Sequence, residues 1–384
     1  MLFTWTAGAI TTVIALLTAP ASDQPKLANG PPVEAHVSAQ WVLSRADRTA
    51  VGIVTRAAVC RDRVYLFAIA RNTIYSVDLK QPALGIALGP EALGAIAKNP
   101  GELVNMFVDC RTGQLSVVAN LFNKERSKFI ATFDPESRQV IRTFELPPEF
   151  SPSSTNPPFY DEATRRVFLG GIWPSTRNGW LTKPVGQALT DTAFGLILSL
   201  DNGQTSKLLM SGVDAGCRAW VGHCLESFFA RNQPDEWVFA HGLSTQLSVI
   251  RLGKTVRTLE MRSPMFRFVA GDSVPRPAPR EQGMAWAYRN SEIRGVYQVE
   301  GHIVAAHAHH STELAKAGGW IDFTAYLNVF TLKGDRVHAD LRLSDLPIGA
   351  SPDGVWVASY RPERNDQARE IVLQRVSPRP SQQR

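Results

Sequence analysis

Residues 63–80 read RVYLFAIARNTIYSVDLK, two runs of β-branched and aromatic residues separated by a short polar break. Such side chains favour extended strands, and a polar break between two such runs is typical of a hairpin. The apolar residues show no sustained helical spacing. The stretch therefore predicts two adjacent antiparallel strands.

The same rhythm recurs along the chain. Five further segments match the first run: QLSVVANL (114–121), RVFLGGIW (166–173), EWVFAHGL (236–243), HIVAAHAH (302–309) and GVWVASYR (354–361). Each is followed by a second alternating strand, and several by a third after a turn containing Asp, Gly or Lys, which suit short hairpins. Helical spacing is confined mainly to residues 88–107, where we expect one short helix.

Six repeats of roughly 50 to 60 residues, each with about four short strands, predict an all-β, six-bladed β-propeller. A four-stranded sheet cannot cover both of its own faces, so radial packing buries each sheet between two neighbours. Residues 36–47, HVSAQWVLSRAD, are the candidate strand that closes the ring against the last blade. A seven-bladed ring and two tandem β-sandwiches are the alternatives.

These strand pairs, with LPIGASPDGVWVASYRPE at 346–363, resemble the exported six-bladed β-propeller proteins of the NHL-like and lactonase-like groups. The resemblance covers residues 45–377 and concerns architecture only, because no catalytic motif of these groups matches position for position. It implies a ligand site on the face that carries the blade-to-blade connections, or at the mouth of the channel.

The N-terminal segment has the features of a secretory signal. Residues 1–22 are uncharged, 7–18 form an apolar run, and APA at 19–21 fits cleavage near Ala21. No Lys or Arg precedes the run, so an uncleaved anchor is the alternative, although a span needs about 20 apolar residues. We expect a periplasmic or secreted protein with a signal peptide (1–22), a linker or closing strand (23–44), the propeller (45–377) and a disordered tail (378–384).

Four cysteines suit an exported chain. Cys217 and Cys224 enclose only RAWVGH, and we predict that they form a disulfide within a surface loop. Cys60 and Cys110 lie at similar positions in the first two repeats, and the sequence leaves their pairing open, since a disulfide needs Cα atoms within about 7 Å. Four buried thiols are the alternative.

The net charge of +6 is spread along the chain. Because no arginine-rich helix or RNA-binding aromatic motif accompanies it, we expect no nucleic-acid partner. We expect a monomer whose partner is a small molecule or an extracytoplasmic protein, with no membrane span beyond an uncleaved signal anchor.

The candidate ligand site follows from aligning the six repeated strands. Placing Ala240 of one repeat on Ala306 of the next puts His241 and His307 at equivalent positions in adjacent blades. The long loops 173–194, 270–290 and 309–322 fall on the same face, and long loops on a compact scaffold are often functional. Aromatic and arginine side chains are enriched at binding surfaces. We therefore predict as ligand-binding residues Trp173, Arg177, Trp180, His223, His241, Arg280, Trp286, His307 and Trp320.

The histidine-rich run HIVAAHAHH at 302–310 allows a metal site. Side chains alternate along a strand, so His307 and His309 share one side, and His241 could supply a third nitrogen to a divalent metal. The simpler interpretation is a strand end whose histidines make ordinary hydrogen bonds. No HExxH, CxxC or serine-nucleophile motif is present, so catalytic residues are unknown.

These observations predict an extracytoplasmic, non-enzymatic binding or interaction module that recognises a ligand or partner protein on its loop-rich face, with no certain cofactor. The alternative is a metal- or His-dependent hydrolase, lactonase-like, with His241 and His307 as metal ligands or base.

Overall fold

The computed structural model describes residues 32–45, 50–96, 101–122, 127–154, 156–173, 192–210, 227–242, 244–251, 254–267, 290–310, 323–361 and 369–381. The chain divides into two units, Met1–Pro32 and Val33–Arg384, and every described strand and helix belongs to the second. No described helix is both long and apolar enough to cross a membrane.

The strands form six antiparallel sheets, here called blades 1 to 6 in chain order. Strand β1 (Ala35–Ser44) comes first in the chain. Blade 1 contains β2 (Arg56–Cys60), β3 (Arg63–Ala68), β4 (Thr73–Asp78) and β5 (Gln81–Leu88), with a 3-10 turn at Ile69–Arg71, and α1 (Glu91–Ile96) follows it. Blade 2 contains β6 (Gly101–Asp109), β7 (Gln114–Leu121), β8 (Lys128–Phe133) and β9 (Val140–Glu145). Blade 3 contains β10 (Ser151–Pro152), β11 (Phe159–Asp161), β12 (Arg166–Ile172), β13 (Thr192–Ser199) and β14 (Thr205–Met210).

The remaining blades repeat this order. Blade 4 contains β15 (Ser227–Gln233), β16 (Glu236–His241), β17 (Gln246–Arg251) and β18 (Lys254–Glu260). Blade 5 contains β19 (Ser291–Val299), β20 (His302–His310), β21 (Phe323–Thr331) and β22 (Arg336–Leu343). Blade 6 contains β23 (Pro347–Ser351), β24 (Gly354–Arg361) and β25 (Glu370–Pro380), together with β1.

The predicted six-bladed β-propeller is confirmed. The six aligned segments are the second strands of their blades, namely β3, β7, β12, β16, β20 and β24. The short helix expected within residues 88–107 is α1. The third blade differs locally, because two short strands, β10 and β11, pair with opposite ends of β12 in place of one continuous inner strand.

The ring closes between the two ends of the chain. Strand β1 pairs antiparallel with β25 along its length and forms the outermost strand of blade 6. The Trp41 ring stacks on Trp356 of the same blade, with ring centroids 5.4 Å apart. The strands of the ring therefore run from Ala35 to Pro380.

The hydrophobic core lies between the blades. In β20, Ile303 and Ala305 pack with blade 4, while Val304 and Ala306 pack with blade 6. Alternate side chains of each second strand therefore enter two different interfaces, which is why these strands are apolar along both faces. The same alternation determines which neighbour each histidine meets.

Candidate functional site

The long connections between strands begin and end on one side of the ring. Four of them, at 173–191, 211–226, 261–290 and 311–322, follow the second or fourth strand of a blade. Because the strands of every blade are antiparallel and each blade repeats the same order, these strand ends share one side. We call this side the loop-rich face. The opposite side, the short-turn face, carries brief turns such as 61–62, 234–235 and 300–301.

A buried polar group, the Asp340 cluster, joins blades 4 and 5 towards the loop-rich face. It comprises Ser263, which follows β18, with His307 of β20, Asn328 of β21 and Asp340 of β22. The Ser263 hydroxyl donates to Asp340 Oδ1, Asn328 Nδ2 donates to the same oxygen over 3.4 Å, and His307 Nε2 lies 3.2 Å from it. One carboxylate oxygen thus collects contacts from both blades.

The charge of Asp340 is well compensated. Burial tends to raise the pKa of this carboxyl, but the hydrogen bonds from His307, Ser263 and Asn328 outweigh it, so the pKa lies below its usual value. Asp340 also has a φ of 53°, a left-handed conformation that Asp and Asn tolerate better than most residues.

Although serine, histidine and aspartate meet here, their arrangement is not that of an activated nucleophile. The Ser263 oxygen lies 3.3 Å from His307 Nε2, but its hydroxyl donates to Asp340 and it accepts the N–H groups of Met265 and Phe266, at 3.1 and 3.0 Å. The His307 side chain is 0% exposed. A nucleophile needs its oxygen open to substrate, whereas this oxygen is already engaged by two backbone N–H groups. The cluster instead fixes the chain where it leaves blade 4.

The two histidines that align in sequence lie in different interfaces. His307 lies on the blade 4 side of blade 5, with its ring centroid 5.3 Å from that of Phe266. His241 lies in line with Phe239 and Trp237, whose rings face blade 3, and its imidazole meets the Phe239 ring edge-on at 4.6 Å. Equivalent positions in a propeller point into successive interfaces, so the two imidazoles do not converge.

Of the three histidines predicted to bind a metal, His241 lies in a different interface from His307. His307 and His309 do share one side of β20, and both stack on the Tyr326 ring at 5.4 and 5.8 Å. In the described part of the chain, however, no three His, Cys, Asp or Glu side chains lie close enough together to hold a metal ion. The stacked histidines pack within blade 5, and His307 belongs to the Asp340 cluster.

Trp173 also lies inside the molecule and not on a binding surface. Its ring is 2% exposed, packs on Phe150 and donates from Nε1 to the Gly195 carbonyl oxygen at 3.0 Å. The Lys207 ammonium lies 4.5 Å from the ring centroid. Trp173 directly follows β12, so its buried ring anchors the end of that strand, where a long connection begins.

The other predicted ligand-binding residues lie outside the described residues: Arg177, Trp180, His223, Arg280, Trp286 and Trp320. The same holds for the disulfide predicted between Cys217 and Cys224. These assignments stay predictions.

The sequence interpretation missed a buried ion pair at the loop-rich end of an innermost strand. The Glu292 side chain of β19 is 1% exposed, and its Oε2 lies 2.7 Å from the Arg294 guanidinium. The Arg294 guanidinium also lies over the Phe323 ring, 5.0 Å from its centroid. The sequence did contain a signal for this pair, because SEIRGVYQV places an acidic residue in a strand otherwise rich in apolar residues. A buried carboxylate is costly unless it has a partner.

A second missed feature is a cavity in the central channel. It has a volume of about 320 Å³ and is lined by residues of all six blades, mostly apolar ones such as Met106, Phe229 and Val296. Arg56 and Tyr297 add polar groups, and burial raises the pKa of the Tyr297 hydroxyl, with nearby Arg56 opposing this in part. The sequence of the innermost strands predicts that a propeller has a central channel, but it does not predict how wide that channel is.

Comparison with known proteins supports the fold. No family model and no curated protein matches the chain. A DUF4221 family member from Bacteroides vulgatus is similar with a TM-score of 0.57 at 10% identity, covering 90% of this chain and 98% of that one. The calcium-binding protein regucalcin from Agrobacterium tumefaciens gives 0.46 at 11% identity, with 90% and 95% covered. Virginiamycin B lyase from Staphylococcus aureus gives 0.43 at 8%, with 88% and 99% covered. At such identities these likenesses concern architecture and say nothing of ligand or activity.

Proposed function

We propose that this protein is an extracytoplasmic binding module that recognises a ligand or partner protein on its loop-rich face. The observation that carries the proposal is the asymmetry of the ring: the connections 173–191, 211–226, 261–290 and 311–322 all belong to one side. Turns of minimal length suffice to connect strands, so long insertions confined to one side indicate a surface under selection for recognition.

The residue types within these connections suit recognition. Trp180, Trp286 and Trp320 offer large, rigid apolar surfaces, and Arg177 and Arg280 offer planar donors that bind carboxylates. A partner that presents apolar groups beside acidic ones would satisfy both kinds of side chain. The net charge of +6 favours the approach of such an acidic partner.

The scaffold beneath these connections supports the proposal. Trp173 anchors the start of one connection, and Ser263 of the Asp340 cluster fixes the chain at the start of another. Binding groups that leave a rigid base lose less conformational entropy when they bind.

The proposed compartment rests on the uncharged, apolar N-terminal segment with a small-residue cleavage pattern at 19–21. The hydrolase alternative has no comparable support, because His241 and His307 enter different interfaces.

The proposal is tested by capture of partners from a periplasmic or culture extract on immobilised protein that lacks residues 1–22. Three single variants, Trp180→Ala, Arg280→Ala and Trp286→Ala, are compared with Lys254→Ala, an exposed change on the short-turn face. We expect Lys254→Ala to capture the same partner as the wild type, and the loop variants to capture at least about tenfold less.

Thermal melting of all four variants is the control for folding. Loop variants that melt like the wild type and still capture the partner fully would contradict the proposal. Equal loss in Lys254→Ala would contradict it as well, since recognition would then not depend on the loop-rich face.

A further inference from the structure

We propose that Cys60 and Cys110 form a disulfide that joins blade 1 to blade 2 at the short-turn face. Cys60 is the last residue of β2 and Cys110 directly follows β6, so each stands at the end of the innermost strand of its blade. In the structure both are free thiols. This covalent site is separate from the proposed binding surface and lies on the opposite side of the ring.

The two cysteines are in contact. Cys110 Sγ lies 3.5 Å from the carbonyl oxygen of Val59, the residue joined to Cys60 by a peptide bond. The neighbouring Cys60 thiol also raises the pKa of the Cys110 thiol. Both pack in the same core cluster beside Tyr65. The innermost strands of blades 1 and 2 therefore bring the two cysteines next to each other here.

The backbone around Cys110 holds its side chain towards β2. The Cys110 N–H donates to Glu162 Oε1 at 2.8 Å, and the turn after β6 is closed by a bond from the Gly113 N–H to the Asp109 carbonyl oxygen, also 2.8 Å. A disulfide formed between preorganised partners requires little movement of the backbone.

A reagent can reach the thiols. A cavity of about 510 Å³ on the short-turn face is lined by Cys60 and Cys110, together with the turns at 61–63, 111–113 and 134–136. Cys110 itself is only partly buried. A small disulfide such as oxidised glutathione therefore has access to at least one of the two sulfur atoms.

The surroundings also predict how the reaction depends on pH. Burial raises the pKa of the Cys110 thiol, and the neighbouring Cys60 thiol and Glu162 carboxylate raise it further. Thiol–disulfide exchange requires a thiolate. We therefore expect slow oxidation near neutral pH and faster oxidation in alkaline buffer.

The chemistry proceeds by exchange with a low-molecular-weight disulfide. One cysteine thiolate attacks oxidised glutathione, which releases one glutathione thiolate and leaves a mixed disulfide. The second cysteine then displaces the other glutathione. Overall the two cysteines lose two protons and two electrons, and one oxidised glutathione becomes two reduced molecules.

The test uses the full chain with Cys217→Ser and Cys224→Ser, so that Cys60 and Cys110 are the only cysteines. The reduced protein is incubated with oxidised and reduced glutathione at pH 8.5, alkylated and digested with trypsin. We expect one linked species containing peptides 57–61 and 99–111, which separates on reduction. We also expect the melting midpoint of the oxidised protein to lie about 5 °C above that of the reduced protein.

A third change, Cys110→Ser, is the matched control, because the residue is partly exposed and serine differs by one atom. Its melting midpoint should not respond to oxidant. Two alkylated thiols after equilibration, or stable glutathione adducts without the linked species, would overturn the proposal. Because the readout is the state of two thiols, it is independent of any binding at the loop-rich face.

Discussion

Replacing Asp340 by asparagine tests whether the Asp340 cluster holds blade 4 against blade 5. Asparagine keeps the size of the side chain and tolerates the φ of 53° at this position, so the change removes charge with little backbone strain. Ser263 and His307 remain beside an uncharged oxygen. The effect on stability therefore reports how much the negative charge contributes.

The magnitude follows from the contacts of Asp340 Oδ1. A hydrogen bond to a charged group contributes roughly 1.5–3 kcal/mol and a neutral one about 1, so each close contact loses about 1 kcal/mol. The contacts with Ser263 and with His307 at 3.2 Å are close, whereas that with Asn328 at 3.4 Å is long and adds little. We expect Asp340→Asn to lower the free energy of unfolding by about 2 kcal/mol at pH 7.

The pH dependence gives this prediction its specificity. The folded pKa of Asp340 lies below its ordinary value of 3.8, so the unfolded state binds the proton more readily. The stabilisation is therefore present above pH 3.8 and is lost as the pH falls through the folded pKa. The difference between wild type and Asp340→Asn should therefore be present above pH 3.8 and should shrink below it.

The assay is urea denaturation followed by tryptophan fluorescence and far-UV circular dichroism at several pH values. A loss below about 0.5 kcal/mol at pH 7 would refute the reasoning, because surface changes commonly reach that size. A loss that stays constant into acid would refute it too, since the effect could then not come from the charge of Asp340.

Three further predictions concern the scaffold and the N-terminal segment. Asn72 has a φ of 52°, accepts the Leu103 N–H and donates to the Gly101 carbonyl oxygen. Asn72→Ala should therefore lower the free energy of unfolding by about 2–3 kcal/mol in urea denaturation, and Asn72→Gly should lower it less because glycine tolerates this φ. Equal losses in the two variants would argue against backbone strain at this position. Deletion of residues 1–44 removes β1, and we expect the product to aggregate on size-exclusion chromatography or to melt without cooperativity in calorimetry. Deletion of residues 1–31 keeps β1 and should leave the elution and the melting unchanged. Normal melting of the protein without β1 would contradict the role of β1 in closing the ring. When the chain is expressed in an export-competent host, intact mass should show cleavage near Ala21, and retention of the full 42.2 kDa would contradict a cleaved signal peptide.

The sequence predicted the blades well because each blade is a local unit. The six apolar segments, from RVYLFAIA at 63–70 to GVWVASYR at 354–361, all form second strands. Alternation along one strand also predicted that His307 and His309 share a side, which their common stacking on Tyr326 confirms. Such features depend on neighbours a few residues apart.

The candidate site was less predictable because its members come from distant segments. Asp340 and Ser263 are 77 positions apart, and nothing local to either residue indicates that they meet. Trp173 has the composition of a binding residue, but only packing shows that its ring is buried on Phe150. The sequence alignment placed His241 and His307 at equivalent positions of adjacent blades. Equivalent side chains of adjacent blades point into successive interfaces between blades, so these two histidines do not meet.

The sequence by itself thus determined the all-β class, the six repeats, the positions of the second strands and the side of the ring on which the long connections lie. These follow from strand propensity, turn chemistry and the fixed order of antiparallel strands. Only the tertiary structure decided which side chains meet across blades: the Asp340 cluster and the approach of Cys110 to Cys60. Contacts between blades depend on how far each sheet is rotated about the ring axis, and that rotation is set by packing of the whole ring, which no single segment encodes.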